Sequence, residues 1–241
     1  MPNFTVAGMP IIGNLTDAQA FAVNQDTVEV ILQSLYDSAA YPTTGIATLP
    51  FFSTGIGQGL GVISGIAKTA EDTNLTGQGG SIPNLQAYII TSIEIEVQPH
   101  IGFFPPASTP VPTADEPAFF GAAALAASIN DVWTIRSTGF LNLSIGSKPY
   151  LTEGPLSTFP SANPFQIRGA LANATTAAAA QYSQAISGDS SGPCYMLSPD
   201  NILLIPMQPF VATLNWATLE PVTTKARIFW RNRGQLLRLS Q

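Results

Sequence analysis

Residues 87–98 read AYIITSIEIEVQ, a run in which apolar and polar side chains alternate. Successive residues of a β-strand point to opposite faces of the sheet, so a period of two predicts a strand with one buried and one polar face. The odd positions form the predicted buried face, and the even positions form the polar one. These sets are Ile89, Thr91, Ile93, Ile95 and Val97 on the first face, and Ser92, Glu94, Glu96 and Gln98 on the second.

The same alternation recurs in residues 131–145, 210–218 and 226–232. Gly139 is predicted to form a bulge or a bend within the first of these strands. The tripeptide Asn232-Arg233-Gly234 is predicted to turn the chain, after which residues 235–239 return. The phase of the strands predicts that the following side chains are buried: Trp133, Ile135, Leu143, Leu214, Trp216, Ile228 and Trp230. The periodicity of residues 27–36 fits a helix or a strand, and their β-branched residues favour a strand. Shorter strands are also predicted at residues 48–52, 149–152 and 202–207.

Two alanine-rich segments interrupt the strands. Residues 117–129 begin with a proline that follows two acidic residues, which is a favourable start for a helix. Residues 170–186 are predicted to be helix or ordered loop. Together the patterns predict an all-β fold, a single antiparallel jelly-roll sandwich with short helical insertions. Residues 1–26 are predicted to form an extended N-terminal arm, and residues 27–241 are predicted to form the jelly-roll domain.

The surface of this chain carries little charge. Charged residues make up 10% of the 241 residues, and the net charge is −6. An average soluble protein has roughly 25% charged residues. A chain with so few charges is typical of a subunit whose surface lies against sister subunits, a membrane or a stacked array. The negative net charge argues against wholesale wrapping of nucleic acid.

The chain is poor in the residues that catalysis and metal binding require. His100 is the only histidine, which excludes sites built from two or three imidazoles. Cys194 is the only cysteine, so no internal disulfide can form. The glycines of residues 55–61 (GIGQGLG) match no phosphate-binding motif. We therefore predict no catalytic residues, no cofactor, no metal and no enzymatic activity.

Two carboxylates leave one enzymatic alternative open. Glu94 and Glu96 occupy one strand face, roughly 7 Å apart at a rise of about 3.3 Å per residue. That separation is compatible with the paired carboxylates of a glycoside hydrolase. A solvated strand face is the more common reason for two neighbouring carboxylates, so a hydrolase is the less favoured interpretation.

Basic residues concentrate at the C-terminal end, where five of the nine lie within the last 17 positions. Arg227, Arg231 and Arg233 are predicted to share one strand face, opposite Ile228 and Trp230. Three guanidinium groups on one face repel each other unless solvent, phosphate or carboxylates neutralise them. The arginines are therefore candidates for an interface or for contact with phosphate. Their partners can be carboxylates on a neighbouring subunit or strand, packaged nucleic acid or lipid headgroups, or solvent alone.

Several phrases of the sequence are similar to the jelly-roll capsid proteins of tailless icosahedral phages. They are LYDSAAYP (35–42), LPFFSTGIGQG (49–59), AKTAEDTNL (67–75), GFLNLSIGSKPYLTEGPLSTFP (139–160), PFVATLNW (209–216) and ARIFWRNRGQLLR (226–238). The resemblance implies upright jelly rolls that associate as trimeric or hexameric capsomers and assemble into the lattice of a virion shell. It implies no catalytic residues. Implied partners are further copies of the chain, other coat or vertex proteins, and nucleic acid or an internal membrane at the inner face.

The sequence therefore favours a structural capsid protein that self-assembles into an icosahedral shell. The alternative in the same particle is a receptor- or carbohydrate-binding jelly roll of a spike or penton. Shell proteins form regular shells, sheets or capsomers, whereas spike proteins form discrete trimers, so particle formation distinguishes the two.

Overall fold

The computed structural model describes residues 4–6, 9–12, 28–62, 66–84, 86–98, 122–160, 166–169, 184–187, 194–197, 201–223 and 225–239. The fold is all-β, as predicted, with little helix. The strands are β1 (Phe4–Val6), β2 (Met9–Ile12), β3 (Val28–Leu32), β4 (Leu35–Tyr41), β5 (Thr48–Phe51), β6 (Gln86–Gln98), β7 (Gly139–Ile145), β8 (Lys148–Glu153), β9 (Gln166–Gly169), β10 (Gln184–Ser187), β11 (Tyr195–Met196), β12 (Asn201–Leu204), β13 (Phe210–Trp216) and β14 (Ala226–Leu239). Helix α1 spans Ala122–Thr138, and a single 3₁₀ turn spans Leu156–Thr158.

The larger sheet is built around two long antiparallel strands, β6 and β14. On the outer side of β14, β4 and β3 follow one another as two short antiparallel partners. In the same way, β11 and β12 pair one after the other, both antiparallel, along the outer side of β6. The hairpin β1–β2 extends the sheet beyond β12, where β2 runs parallel to its neighbour. Part of the predicted N-terminal arm is thus paired to a sheet, and its remaining residues lie outside those described.

The smaller sheet has four antiparallel strands in the order β5-β13-β7-β8. Every second residue of β13 faces inward, as the alternation predicts, because its even positions are buried and its odd positions are not. Aromatic side chains join the two sheets across the core. The Phe51 ring lies 5.6 Å from the Trp230 ring, and the Tyr41 ring lies 4.9 Å from the Trp216 ring. The sheets therefore form a sandwich around one apolar core. Strands β9 and β10 pair separately.

Six of the seven predicted core residues are buried, and Trp133 is the exception, at 71% exposed. The strand predicted over residues 131–145 is wrong in its first half, because α1 continues through Thr138. Asp131 and Ile135 are buried together at the helical spacing of four residues, which directs Trp133 away from the core. Gly139 is the first residue of β7 and not a bulge within it. A Cβ there would lie 2.6 Å from Nε1 of Trp216, so only glycine fits.

The predicted turn at Asn232-Arg233-Gly234 is also wrong. Strand β14 runs on to Leu239, and its pairing with β6 shifts register between Arg233 and Gly234. A Cβ on Gly234 would lie 1.7 Å from the Ile89 carbonyl oxygen, so the glycine permits close approach of the strands and not a reversal.

This shift of register is a β-bulge, and it also changes which side chains of β6 face the core. Thr91 has no Cα partner on β14, and its hydroxyl donates to the Arg233 carbonyl at 3.1 Å. On the N-terminal side of the bulge, Tyr88 and Ile90 join the core, whereas Ile89 leaves the predicted core face. The predicted polar face is not uniformly solvated either, since Ser92 and Glu94 are buried.

The predicted helices are only partly tested. Residues 122–129 are helical, and residues 117–121 lie outside the described part of the chain. In the segment 170–186, the described residues 184–186 belong to strand β10, and the others are not described.

Candidate functional site

The three candidate arginines lie on β14, on the face opposite Ile228 and Trp230. Register places Arg231 opposite Glu94 of β6, while Arg227 and Arg233 are opposite neutral residues. The arginines and the acidic residues of β6 therefore occupy one outer face of the eight-stranded sheet. We call this surface, with Arg227, Arg231, Arg233, Glu94 and Glu96, the arginine face.

Arg227 is a buried member of the arginine face, with 7% of the residue exposed. Its Nη2 donates to the Glu71 carbonyl at 2.6 Å and to Oδ1 of Asp72 at 3.2 Å. Its guanidinium also lies 4.1 Å from the centroid of the Phe229 ring. Burial lowers the pKa of Arg227, and the charge of Asp72 is the largest influence that raises it again. An arginine nevertheless remains protonated. The charged Arg227 side chain therefore holds the segment that contains Glu71 and Asp72 against the sheet.

Arg231 and Arg233 share one carboxylate. Nη1 of Arg231 lies 3.4 Å from Oε2 of Glu94 and 4.0 Å from Oε2 of Glu96. Nε of Arg233 contacts Oε1 of Glu94. The Glu94 side chain is 1% exposed, whereas the side chains of Arg231 and Arg233 are 25% and 37% exposed. The neutralising carboxylates thus come from a neighbouring strand of the same chain.

This arrangement limits what the arginine face can do chemically. Three guanidinium groups meet three carboxylates, from Asp72, Glu94 and Glu96, so the formal charges cancel locally. The exposed ends of Arg231 and Arg233 retain donors that a phosphate oxygen can accept from. Glu94 lies beneath the two guanidinium groups, so the pair Glu94 and Glu96 does not form an open two-carboxylate cleft.

A second buried ion pair was missed by sequence reasoning. Nζ of Lys68 lies 2.6 Å from Oδ1 of Asp37, and the two side chains are 7% and 0% exposed. Burial raises the pKa of Asp37, and the charge of Lys68 opposes that effect. The only signal in the sequence was the single acid within the otherwise uncharged strand LYDSAAY. It could not identify a partner 31 positions away.

The residues that carry Lys68 also cover a strand edge. We call residues 66–75 the edge segment. The side-chain oxygen of Asn74 accepts from the backbone amide of Tyr36 at 2.8 Å, and the backbone amide of Asn74 donates to the Tyr36 carbonyl at 3.2 Å. Covering the edge of β4 in this way blocks unwanted strand pairing.

Other candidate groups stand apart from the arginine face. Cys194 is free and half-buried, with its Sγ 3.5 Å from Sδ of Met196. His100 lies outside the described residues. In the glycine-rich loop, Gly57 and Gly59 have positive φ angles of 82° and 64°, and the Gly57 amide donates to the Lys68 carbonyl at 2.8 Å. Backbone hydrogen bonds thus hold this loop to the edge segment.

Within the described ranges, no three His, Cys, Asp or Glu side chains converge as a metal site. None of the described helical residues form a segment with the length and hydropathy needed to cross a membrane.

No protein-family model, no curated protein and no solved structure shows significant similarity to this chain.

Proposed function

We propose that this chain is a structural coat protein that self-assembles into an icosahedral virus shell, and that its sandwich is a jelly roll. The observation that carries the proposal is the strand order. One sheet contains the path β4-β14-β6-β12, and the other is β5-β13-β7-β8. Numbered from one to eight along the chain, these strands give the orders 1-8-3-6 and 2-7-4-5. These orders match those expected of the double Greek key of a jelly roll, which supports the proposed assignment.

The other strands are compatible with this assignment. β3 prolongs the first strand of the roll along β14, and β11 prolongs the sixth along β6. The hairpin β1–β2 and the pair β9–β10 are additions to the eight-stranded roll. Helix α1 lies in the connection between the third and fourth strands of the roll.

The surface also supports a subunit that is covered in its working state. Large apolar side chains project far into solvent at several separate places. Leu32 is 83% exposed, Leu60 is 72% exposed and Trp133 is 71% exposed. Combined with a charged fraction of 10%, these side chains suit a chain whose surface is buried by neighbours.

The proposal assigns no catalytic role, cofactor or metal to the chain. Its principal partner is a second copy of itself, with other coat or vertex proteins as further partners. Arg231 and Arg233 are the residues of the arginine face that retain exposed donors, so they are the proposed contacts for nucleic acid or for the headgroups of an internal membrane. The proposed location is the virion shell.

One observation favours a second candidate, a receptor- or carbohydrate-binding spike or penton. Trp133 lies on α1 with most of its ring in solvent, and exposed aromatic rings can stack on sugars. A spike of this kind forms discrete trimers, whereas a shell protein forms extended arrays.

The test is to express the chain alone and to examine the product by light scattering after size exclusion and by electron microscopy. Regular shells, sheets or capsomers are the expected result. A product that consists of discrete trimers only, at every concentration and salt condition, favours the spike. A product that remains monomeric throughout contradicts both candidates.

A further inference from the structure

The two sheets of the sandwich differ sharply in charge. The strands of the eight-stranded sheet contain the following charged residues: Glu29, Asp37, Glu94, Glu96, Arg227, Arg231, Arg233 and Arg238. The strands of the four-stranded sheet contain only Lys148 and Glu153, both on the edge strand β8. These two are in register with the inward-facing Ile145 and Leu141, and so they do not belong to the outward face.

The outward face of the four-stranded sheet therefore carries no charged side chain. We call it the neutral face. Its members are exposed or half-buried, so the described part of the chain leaves this face open. They are Thr48 and Pro50 of β5, Phe140, Asn142 and Ser144 of β7, Pro149 and Thr152 of β8, and Val211, Thr213 and Asn215 of β13.

Polar groups on the neutral face hydrogen-bond mainly to each other. Thr48 Oγ1 donates to Asn215 Oδ1 at 3.0 Å, and Asn215 Nδ2 donates to Thr213 Oγ1 at 3.0 Å. Thr152 Oγ1 and Asn142 Oδ1 are 3.5 Å apart. Removing water from a polar group is costly when that group is left without a partner. Because these side chains already have partners, covering the face costs less than covering an ordinary polar surface.

We infer that the neutral face is a contact surface for the same face on a second copy of this chain. The inference rests on the coat function proposed above and names the surface through which copies meet. A partner of strong charge would find nothing to pair with here. A second copy carries the same net charge of −6, so two copies repel each other least where both are uncharged.

The size of the neutral face indicates how strong a single contact can be. The four strands contain 4, 7, 7 and 6 residues, and at about 3.3 Å per residue and about 4.8 Å between strands they cover roughly 380 Å². A stable pairwise interface buries about 800 Å² on each partner. One such contact alone is therefore weak, which suits a subunit held by several neighbours at once.

The test places a charge on this face at Val211, which is 54% exposed and can be changed without entering the core. Val211→Lys and Val211→Glu are each compared with wild type and with the neutral control Val211→Thr. Circular dichroism and thermal melting verify folding, while light scattering and electron microscopy measure association.

Each charged variant alone is expected to associate at least about tenfold more weakly than wild type, because like charges then face each other. The Thr variant is expected to associate normally. An equimolar mixture of the Lys and Glu variants is expected to recover association, because opposite charges can then meet.

The outcomes separate this inference from the coat function. If wild type and both charged variants form the same particles, the neutral face is not the contact surface, whereas the coat function stands. If wild type forms dimers that charge at Val211 disrupts but never forms larger arrays, the contact surface stands and the coat function fails. A mixture that does not recover association, although each variant is folded, overturns the assignment of a second copy as the partner.

Discussion

Asp37 and Lys68 form an ion pair inside the sandwich, while Arg227 and Asp72 form another on the outer face of the same sheet. Lys68 and Asp72 both belong to the edge segment, four residues apart, and they reach β4 and β14 from opposite sides. The edge segment is therefore held to the sheet by two buried ion pairs as well as by its backbone. Phe52 adds to this region, since its amide donates to Oδ2 of Asp37 at 2.5 Å while its φ angle is 57°. A bulky residue in that region of φ is strained and persists only where its surroundings fix it.

Replacing Lys68 with Met is expected to lower the free energy of unfolding by about 3 kcal/mol, because removal of one partner leaves a buried charge without compensation. Urea denaturation measures this loss. The matched control is Arg238→Met, which breaks the pair with Glu29, whose two side chains are about half exposed. That change is expected to cost less than about 1 kcal/mol. Equal losses in the two variants would contradict a special role for the buried pair.

The cost of Lys68→Met is also expected to depend on pH. Burial raises the pKa of Asp37, and removing the Lys68 charge raises that pKa further. A carboxyl with a raised pKa in the folded state binds its proton more tightly there, so folding is favoured as the pH falls through that pKa. The difference in stability between wild type and variant should therefore shrink from about pH 8 to about pH 5. A difference that grows over this range would show that Asp37 is not the group responsible.

Much of the sandwich could be predicted because alternation is a local property of the chain. The C-terminal part of β6, all of β13 and the first half of β14 each repeat every two residues, and their inward residues are buried as expected. Trp133 and Ile135 also occupy odd positions, but the helix that begins in the alanine-rich stretch continues through them. A period of two over so few residues cannot compete with an existing helix, because each added residue gains one hydrogen bond at little cost.

The candidate site was less accessible to sequence reasoning, since long-range pairing decides it. The sequence indicates that Arg227, Arg231 and Arg233 share a face, but not that β14 pairs with β6 in the register that places Glu94 between two of them. Gly234 illustrates the same limit. Its tripeptide has the composition of a turn, and only the approach of Ile89 makes it a bulge.

Gly234→Ala is expected to destabilise the fold by roughly 3 kcal/mol, since an added methyl group would collide with backbone that cannot move independently. Gly146→Ala is the matched control. A Cβ on Gly146 would have open space around it, so alanine would cause no collision there. Its φ angle of 59° disfavours alanine, and the free energy of unfolding is expected to fall by about 1 kcal/mol. Urea denaturation of both variants compares the two costs. A smaller loss for Gly234→Ala than for Gly146→Ala would mean that the strands can separate at the bulge without penalty.

Tyr41 is expected to make the protein sensitive to alkaline pH. Burial, together with the charge of Glu220, raises the pKa of Tyr41 to about 12, and its hydroxyl donates to the Glu220 carbonyl at 2.7 Å. In the unfolded chain a tyrosine ionises near pH 10, so the stability that Tyr41 contributes is complete below about pH 10 and is lost as the pH rises towards 12. The loss is roughly 2 kcal/mol.

The measurement is the free energy of unfolding of wild type and Tyr41→Phe at several values between about pH 9 and pH 12. Burial also raises the pKa of Tyr88, so both proteins should lose stability in this range. The wild type should lose more, because only it carries the phenol at position 41. If the free energy of unfolding falls equally with pH in the two proteins, groups other than Tyr41 cause the loss of stability at alkaline pH.

Glu94 determines what a test of Arg231 and Arg233 can show. Changing both arginines to Gln leaves a carboxylate that is 1% exposed without either of its ion-pair partners, so the double variant is expected to lose about 3 kcal/mol of stability. Adding Glu94→Gln removes the unpaired charge and is expected to restore most of that stability. Urea denaturation of the double and triple variants measures the difference.

The triple variant is then the correct protein for the assembly experiment, because it lacks the exposed guanidinium groups but remains folded. If Arg231 and Arg233 contact phosphate in the assembled shell, the triple variant should form fewer particles than wild type, and wild-type yield should fall as salt rises. Normal particle yield from the triple variant at every salt concentration would assign these two arginines to the internal ion pair alone.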